Sequence, residues 1–305
     1  MKIKKPVLIC IVGATAIGKT ALAIKIAEAF STEIISADSR QFYQEMEIGT
    51  AVPSTEELSA AKHHFIQNKS IFEAYSVGDF EREVIALLEH LFEKHQVVVL
   101  VGGSGLYVDA VTNGLDNFPK IDTSVRKRLK EEYTENGIGF IQKELEEVDV
   151  ETFNKIDINN PQRVIRALEI FRGSKKKYSS FLQKNAEKRN FDTLFIGLTA
   201  DREIIYDRIN RRVDFMIENG LIEEAQNLYK HKELNALQTV GYRELFQFFD
   251  GTISKEEAIS EIKKNTRRFA KRQSTWFRKN EAINWYNYNT NPKEIITQIK
   301  AKNTL

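Results

Sequence analysis

The chain has 305 residues, of which 42% are hydrophobic and 29% charged, an ordinary globular composition that argues against disordered and fibrous architectures. A single cysteine, Cys10, excludes a disulfide scaffold and a zinc site built from cysteines. No stretch approaches the roughly 20 apolar residues that a membrane span needs, and the apolar run at 7–12 is too short for a secretion signal. We therefore expect a cytoplasmic protein without a membrane segment.

Strands and helices alternate from the amino terminus onward. An apolar strand at 7–12 is followed by a glycine-containing loop at 13–18 and a helix at 19–30. Unbroken apolar runs are typical of strands buried on both faces, and apolar residues at helical spacing indicate amphipathic helices. The later predicted strands are 34–36, 97–101, 193–198 and 283–286, and the later predicted helices are 78–95 and several within 204–277. This alternation predicts an α/β fold with a parallel sheet flanked by helices.

The pattern changes in the middle of the chain, where charged, periodic segments follow one another without a buried strand. The helices predicted there are 123–135, 140–148 and 161–171. We interpret residues 115–192 as an all-helical insertion. The α/β catalytic core would then consist of residues 1–114 plus 193–305.

Residues 13–20, GATAIGKT, fit the phosphate-binding pattern of glycine, four residues, then Gly-Lys-Thr. Glycines let backbone N–H groups curl around phosphate oxygens, and the positive end of the following helix faces the anion. The lysine supplies a cation, and the threonine hydroxyl can reach Mg²⁺. Because the motif follows a strand and opens a helix, we favour a phosphate or diphosphate site over a structural turn. Its residues are Gly13, Ala14, Thr15, Ala16, Ile17, Gly18, Lys19 and Thr20.

The acidic residues near this motif are placed unusually for an ATPase. Phosphate-loop ATPases hold Mg²⁺ with an aspartate at the end of an apolar strand, whereas the strand at 97–101 is followed by Gly-Gly-Ser. Asp38, in IISADSRQFYQ, directly follows an early strand instead. This pattern argues against ordinary ATP hydrolysis and leaves Asp38 free to act as a base. The alternative is that Asp38 caps a helix, since Asp-Ser before a helical stretch is also a capping pattern.

A basic segment lies near the carboxyl terminus, although 45 basic and 43 acidic residues leave the whole chain at a formal net charge of only +2. Between Ile262 and Lys279 there is no acidic residue. The basic residues of this segment are Lys263, Lys264, Arg267, Arg268, Lys271, Arg272, Arg278 and Lys279. Such a concentration predicts a polyanionic partner bound mainly through phosphate contacts, and the alternative is a solvated helix face.

Taken together, the motifs resemble those of the tRNA dimethylallyltransferase (tRNA isopentenyltransferase) family, in its short bacterial form, over nearly the whole chain. The motifs that carry the resemblance are GATAIGKT (13–20), DSRQFYQ (38–44), IGTAVP (48–53), HHFI (63–66), YSVGDF (75–80), VGGSGLY (101–107), NPQRVIRALEI (160–170), RINRRVDFMIENGLIEE (208–224), VGYRE (240–244) and TRRFAKRQSTWFR (266–278). Their common order along the chain makes the resemblance specific.

The resemblance implies a P-loop NTPase-like sheet with a helical insertion that contacts tRNA. It implies transfer of a dimethylallyl group from dimethylallyl diphosphate to the exocyclic amino group of the adenosine immediately 3′ of the anticodon. The partners would be the anticodon stem-loop of tRNA and the prenyl donor, with Mg²⁺ held partly by Thr20 as the cofactor. We expect a monomer without a membrane partner.

The resemblance also assigns roles to individual residues. The catalytic residues would be Asp38, Lys19, Thr20, Ser104 and Arg212, with Asp38 as the base. The tRNA-binding residues would be Asp38, Ser39, Arg40, Gln41, Ser104, Gln162, Arg163, Val164, Ile165 and Arg166. Arg163 and Arg166 lie three positions apart on a predicted helix and would share one face.

Two other functions compete with this interpretation. A small-molecule or nucleoside kinase would explain the phosphate loop, but neither the basic segment nor the helical insertion. A non-catalytic RNA-binding protein is disfavoured because Lys19, Thr20 and Asp38 are all intact.

Two pairs of adjacent residues also admit two explanations each. His63 and His64 suggest a metal site, but adjacent side chains point to different sides and no third ligand is evident, so packing is favoured. Trp276 and Phe277 would either stack on RNA or pack in the core.

Overall fold

The computed structural model describes residues 5–182 and 188–303. The chain divides into two compact units, one comprising Met1–Thr112 with Arg189–Leu305 and the other Asn113–Lys188. The first unit contains the sheet, and the second is built from helices. Among the described helices, none is long and apolar enough to cross a bilayer.

One parallel sheet organises the first unit. Its strands are β1 (Val7–Gly13), β2 (Ile34–Ser36), β3 (His63–His64), β4 (Val97–Gly102), β5 (Asp192–Thr199) and β6 (Ile283–Asn287). They lie in the order β3-β2-β4-β1-β5-β6, and every neighbouring pair is parallel. In the centre, Cys10 of β1 lies opposite Leu100 of β4 and Phe195 of β5. The predicted parallel α/β fold is therefore confirmed.

Thirteen described helices surround this sheet or form the second unit. They are α1 (Lys19–Phe30), α2 (Thr55–Ala60), α3 (Val77–Phe92), α4 (Gly105–Asn113), α5 (Thr123–Asn136), α6 (Ile138–Val148), α7 (Val150–Lys155), α8 (Pro161–Ser174), α9 (Arg202–Glu218), α10 (Leu221–Leu228), α11 (Tyr242–Phe249), α12 (Lys255–Phe277) and α13 (Pro292–Asn303). Short 3-10 turns lie at Tyr178–Phe181, Tyr229–His231 and Asn235–Leu237.

The sheet is buried on both faces because its strands are almost continuously apolar. Every residue of β1 is buried, as the unbroken apolar run predicted. Ile9 packs with α1 and α13 on one face, and Leu8 packs with α3 on the other. The carboxyl ends of β1, β2 and β4 meet at one edge of the sheet, where α/β proteins commonly bind ligands.

The helical unit has a core of its own. Leu129 of α5, Ile141 of α6 and Leu168 of α8 are each 0% exposed and pack together. The buried carboxylate of Asp149 accepts hydrogen bonds from the backbone and hydroxyl of both Thr152 and Ser179, which satisfies its oxygens away from water. This unit is therefore stabilised by contacts among its own residues.

The structure adds five strands and α-helices that sequence patterns did not predict, namely β3, α2, α4, α7 and α13. Three of them are too short to display a hydrophobic period, since β3 has two residues and α2 and α7 have six each. The helix predicted to reach residue 95 ends at Phe92, where the N–H groups of Lys94 and His95 both donate to the Leu91 carbonyl oxygen.

Candidate active site

The phosphate loop connects β1 to α1 at the carboxyl edge of the sheet. Gly13 (φ 144°) and Gly18 (φ 108°) have positive φ angles, which glycine adopts without steric cost. A Cβ atom on Gly13 would lie 2.6 Å from the Leu198 carbonyl oxygen, so this position also requires glycine for space. Ala16 has φ 63° despite its Cβ atom, which shows that the surrounding structure holds the loop in place.

A cavity of about 800 Å³ opens beside this loop and is lined by residues of the first unit. Its lining includes Thr15, Ala16, Ile17, Gly18, Lys19 and Thr20 from the loop, while Gly13 and Ala14 are buried behind them. Other basic side chains that line it are Arg208, Arg211 and Arg212, and the acidic ones are Asp38, Glu47 and Glu57. Apolar lining comes from Ile48, Val52, Pro53, Ile66, Phe215 and Met216. The cavity can therefore accommodate an anion and an apolar group together.

Two cations of the cavity, Lys19 and Arg212, are held largely out of water. The Lys19 ammonium group donates a hydrogen bond of 2.8 Å to the Ala14 carbonyl oxygen. Burial, opposed by the nearby Asp38 and reinforced by Arg212, lowers the pKa of Lys19 to about 8. Burial and the charge of Arg208 lower the pKa of Arg212, against the attraction of Asp38. A bound polyanion would relieve the repulsion among these cations.

Asp38 follows β2 and faces the same cavity. Its Oδ1 atom accepts a hydrogen bond of 3.1 Å from the Arg40 N–H, and turns rather than a helix follow it. The capping alternative for Asp38 is therefore wrong, because no helix begins there. Within residues 5–182 and 188–303, nothing donates a hydrogen bond to Oδ2, so this oxygen is available to a ligand.

The neighbours of Asp38 have structural partners as well as a place near the cavity. The Ser104 hydroxyl oxygen accepts a hydrogen bond of 3.1 Å from the Ser39 N–H. Gln41 lines the cavity and donates to the Ala51 carbonyl oxygen at 2.8 Å. Arg40 donates through Nη1 to the carbonyl oxygens of Asn235 and Ala236. The structure thus brings the predicted residues 38–41 and 104 together.

Sequence reasoning missed Arg208, which contacts the phosphate loop directly. Its Nε donates a hydrogen bond of 2.7 Å to the Ala16 carbonyl oxygen, and its guanidinium lies over the Tyr288 ring. Arg208 precedes Arg212 by four residues on α9, so the two share one helix face. That spacing was the signal that would have identified Arg208.

Sequence reasoning also missed Glu224, which fixes one wall of the cavity. Its carboxylate accepts hydrogen bonds from the N–H groups of Glu47 (3.0 Å), Ile48 (2.8 Å) and Gly49 (2.9 Å). The buried Tyr242 hydroxyl donates to the same carboxylate at 2.6 Å. These bonds explain why the motifs at 208–224 and 240–244 accompany the loop at 48–53.

The residues predicted on α8 divide into two groups. Gln162 and Arg163 are exposed, while Arg166 is partly exposed, pairs with Glu169 at 3.0 Å and lies over the Phe118 ring. Val164 and Ile165 are instead 0% and 1% exposed in the core of the helical unit. We correct the prediction for these last two, because side chains buried in this core are not free to contact tRNA.

The two histidines of β3 have separate partners. The Nε2 atom of His64 lies 2.5 Å from a carboxylate oxygen of Glu33, and Nδ1–H of His63 donates to the Ala61 carbonyl oxygen at 2.7 Å. Among the described residues, no group of three or more His, Cys, Asp or Glu side chains could hold a metal ion. The contacts made by the histidines favour their packing interpretation.

The basic segment covers most of helix α12 and the two residues after it, and its cations are not equivalent. Lys263 pairs with Asp214 at 2.5 Å and Lys264 with Glu261 at 2.7 Å, whereas Arg267 bonds to Asn210. The exposed cations of the segment are Arg268, Lys271, Arg272, Arg278 and Lys279. A polyanion that binds to this segment would therefore contact these five exposed cations before the paired ones.

The two aromatic residues near the end of α12 also differ. Phe277 is 3% exposed and packs in the core of the sheet unit. Trp276 is 40% exposed, and its Nε1–H donates a hydrogen bond of 2.9 Å to Asp109. Packing in the core therefore explains Phe277 but not Trp276.

The fold and the cavity define an α/β protein of the phosphate-loop class in which the carboxylate of Asp38, just after β2, faces the loop. The family model described as IPP transferase matches residues 41–280. The chain belongs to the IPP transferase family.

Relatives match over nearly the whole chain. A protein of Christiangramia forsetii named tRNA dimethylallyltransferase is 60% identical over 295 residues, covering 97% of this chain and 98% of that protein. The structure of the full-length tRNA isopentenylpyrophosphate transferase of Bacillus halodurans has a TM-score of 0.74 at 37% identity, covering 98% and 97% of the two chains. A eukaryotic dimethylallyltransferase described as acting on tRNA has a TM-score of 0.80 at 27% identity, covering 97% of this chain and 79% of that one.

Proposed function

We propose that this protein transfers the dimethylallyl group of dimethylallyl diphosphate to the exocyclic amino group of the adenosine immediately 3′ of the anticodon in tRNA. The observation that carries the proposal is a single cavity in which a phosphate loop, three arginines and a free carboxylate oxygen face one another. The family membership and the names of the relatives support the same reaction.

The donor would bind with its diphosphate at the phosphate loop. Backbone N–H groups of the loop and the amino end of α1 favour anions there. Lys19, Arg208 and Arg212 add positive charge where the departing diphosphate gains negative charge, which lowers the barrier to breaking the carbon–oxygen bond. The apolar lining beside them suits the five-carbon prenyl group.

Asp38 would act as the base for the acceptor amine. The exocyclic nitrogen of adenine is a poor nucleophile because its lone pair is delocalised into the ring. As the nitrogen–carbon bond forms, the carbon–oxygen bond breaks, its electron pair leaves with the diphosphate, and one amine proton passes to Asp38. The free Oδ2 atom is suited to accept that proton, since it has no other donor among the described residues.

Mg²⁺ is part of the proposal. The described residues supply no cluster of acidic ligands, but the Thr20 hydroxyl and the Asp38 carboxylate line the same cavity. This sparse set fits an ion that takes most of its ligands from the diphosphate and water, with Thr20 as a protein ligand. When bound, Mg²⁺ would neutralise charge on the diphosphate.

The second substrate would be the anticodon stem-loop of tRNA. An enzyme that modifies a base must receive it unstacked in a pocket, and we place that base beside Asp38, Ser39, Gln41 and Ser104. Gln162, Arg163 and Arg166 would contact the RNA from the helical unit. We expect a monomer that acts in the cytoplasm.

The test is detection of the prenylated adenosine by mass spectrometry after the purified protein, dimethylallyl diphosphate, Mg²⁺ and unmodified tRNA react. Asp38→Asn should reduce turnover by roughly 10²–10⁴, the usual effect of losing a general base, while tRNA and donor affinities change little. Asparagine retains the oxygen that accepts the Arg40 N–H, so folding should be preserved. Wild-type turnover in this variant, or phosphorylation of a small acceptor from ATP in place of prenylation, would contradict the proposal.

A further inference from the structure

The side chain of Gln273, in the second half of α12, contacts the phosphate loop. Gln273 is only 6% exposed, and both polar atoms of its amide have partners. Oε1 accepts a hydrogen bond of 2.8 Å from the Thr15 N–H, and Nε2 donates one of 2.9 Å to the Gly103 carbonyl oxygen. One buried amide therefore connects the loop after β1 with the turn after β4.

The phosphate loop needs such support because Ala16 adopts a left-handed conformation that is unfavourable for a residue with a Cβ atom. Three side chains hold the backbone around it. Arg208 bonds to the Ala16 carbonyl oxygen, Lys19 bonds to the Ala14 carbonyl oxygen, and Gln273 bonds to the intervening amide. A bound anion would attract the charged side chains of Lys19 and Arg208, whereas the neutral amide of Gln273 would keep its hydrogen bond to the loop.

The turn at Gly103 is fitted closely to the same amide. A Cβ atom on Gly103 would lie 2.3 Å from Nε2 of Gln273 and 3.6 Å from Nζ of Lys19. Gly103 itself does not have a positive φ, so the obstacle to a larger residue is the neighbouring side chain rather than the backbone conformation. Gln273 and the turn at Gly103 thus pack together beside Lys19, which lines the cavity.

We propose that Gln273 is a positioning residue for the diphosphate site, acting on donor affinity through the phosphate loop rather than by touching the reacting atoms. A loop that is already shaped for its ligand binds more tightly, because less conformational freedom is lost on binding. Without Gln273, the Thr15 N–H and the Gly103 carbonyl would be buried and unpaired, and the loop would shift to solvate them. The inference deepens the proposed function but requires only that the loop binds a diphosphate.

Gln273→Met tests the proposal, since methionine has a similar length and no hydrogen-bonding amide. The probe is inorganic diphosphate with Mg²⁺, measured by titration calorimetry on the full chain. We expect its Kd to rise about tenfold, the usual effect of leaving a buried polar group unpaired. The KM for dimethylallyl diphosphate should rise with it, while kcat at saturating donor and the Kd for tRNA stay within about twofold. Thr275→Ala, an exposed position on the same helix, is the control and should change none of these values.

A double-mutant cycle provides the second test. Gly103→Ala should weaken diphosphate binding because its methyl group displaces the Gln273 amide. In the Gln273→Ala background that obstacle is gone, so adding Gly103→Ala should weaken binding no further. Additive effects, or an unchanged diphosphate Kd in Gln273→Met with a native melting temperature, would overturn the proposal. A wild-type protein that binds diphosphate but prenylates no tRNA would instead contradict the proposed function and leave the role of Gln273 standing.

Discussion

Asp38 and Lys19 face the same cavity, but their protons have opposite tasks. Asp38 would receive a proton during the reaction, whereas Lys19 must hold one to attract the diphosphate. Burial works against Lys19, because a charge removed from water is less stable. The lysine is therefore adapted to a ligand whose own charge restores its protonation.

The lowered pKa of Lys19 predicts that the protein takes up a proton when it binds the donor above pH 8. In the free protein the pKa of Lys19 is about 8, and a bound diphosphate raises it. The donor itself is fully ionised there, since a phosphate ester loses its second proton near pH 6. Calorimetric titration of dimethylallyl diphosphate at pH 8.5, in two buffers of different ionisation enthalpy, should show net proton uptake. Lys19→Met should bind the donor more weakly and show none.

Lys19 also makes the stability of the folded protein depend on pH, in a direction that its lowered pKa determines. Between about pH 8 and 10.5 the unfolded chain holds the Lys19 proton and the folded chain has lost it. The free energy of unfolding of the wild type, relative to Lys19→Met, should therefore rise with pH across this window. A difference between the two proteins that falls with pH would contradict the lowered pKa.

At the scale of an element, the cavity wall at 47–50 depends on a carboxylate from α10. Glu224→Gln keeps the side-chain shape but turns an amide group toward N–H donors, so at least one of them loses its partner. We expect the free energy of unfolding to fall by about 1.5–3 kcal/mol, the range for hydrogen bonds to a charged group. The KM for the donor should rise because Ile48 lines the cavity. Denaturant unfolding and steady-state kinetics measure the two effects.

Glu223→Gln is the matched control, since Glu223 is the exposed neighbour of Glu224 on the same helix. It removes the same charge without removing a hydrogen bond to the wall. If both variants lose equal stability, net charge rather than the contacts of Glu224 is responsible. If Glu224→Gln unfolds more easily but keeps its donor KM, the wall does not shape the donor site.

Sequence patterns predicted helices and strands that have a local signal in the sequence. They failed for residues whose role depends on contacts with distant parts of the chain. Helix α1 begins at Lys19 and ends at Phe30 as predicted, because a glycine loop precedes an amphipathic run. The roles of Glu224 and Gln273 had no such signal, since their backbone partners are 170 or more residues away. The position of Asp38 after β2 suggested a base, but only the fold shows that no helix follows it.

At the scale of the whole molecule, a net charge of +2 conceals an uneven surface. The exposed cations of the basic segment should contact tRNA phosphates, whereas Lys263 and Lys264 already have acidic partners. Replacing Arg268, Lys271 and Lys279 with glutamine should raise the Kd for tRNA and flatten its salt dependence. Removing one cation that neutralises a phosphate lowers the magnitude of the log–log salt slope by roughly 0.7–0.9. Filter binding at several salt concentrations measures the slope.

The control triple variant removes three exposed lysines elsewhere in the first unit, Lys94, Lys230 and Lys293. It changes the net charge equally and should leave the salt slope unchanged. Equal slopes in both triple variants would mean that the exposed cations of the basic segment are merely solvated. Turnover at saturating tRNA should be retained in either case, because none of these residues lines the cavity.

The central strand β1 has a further consequence for how the chain is made. Its two neighbours are β4 and β5, and the whole helical unit is synthesised between them. During synthesis, the edge of β1 that pairs with β5 therefore stays unpaired while the intervening residues are translated, which takes on the order of ten seconds. An open apolar edge is a template for pairing with other chains. The growing protein thus remains exposed to aggregation while its helical unit, which has a core of its own, is being translated.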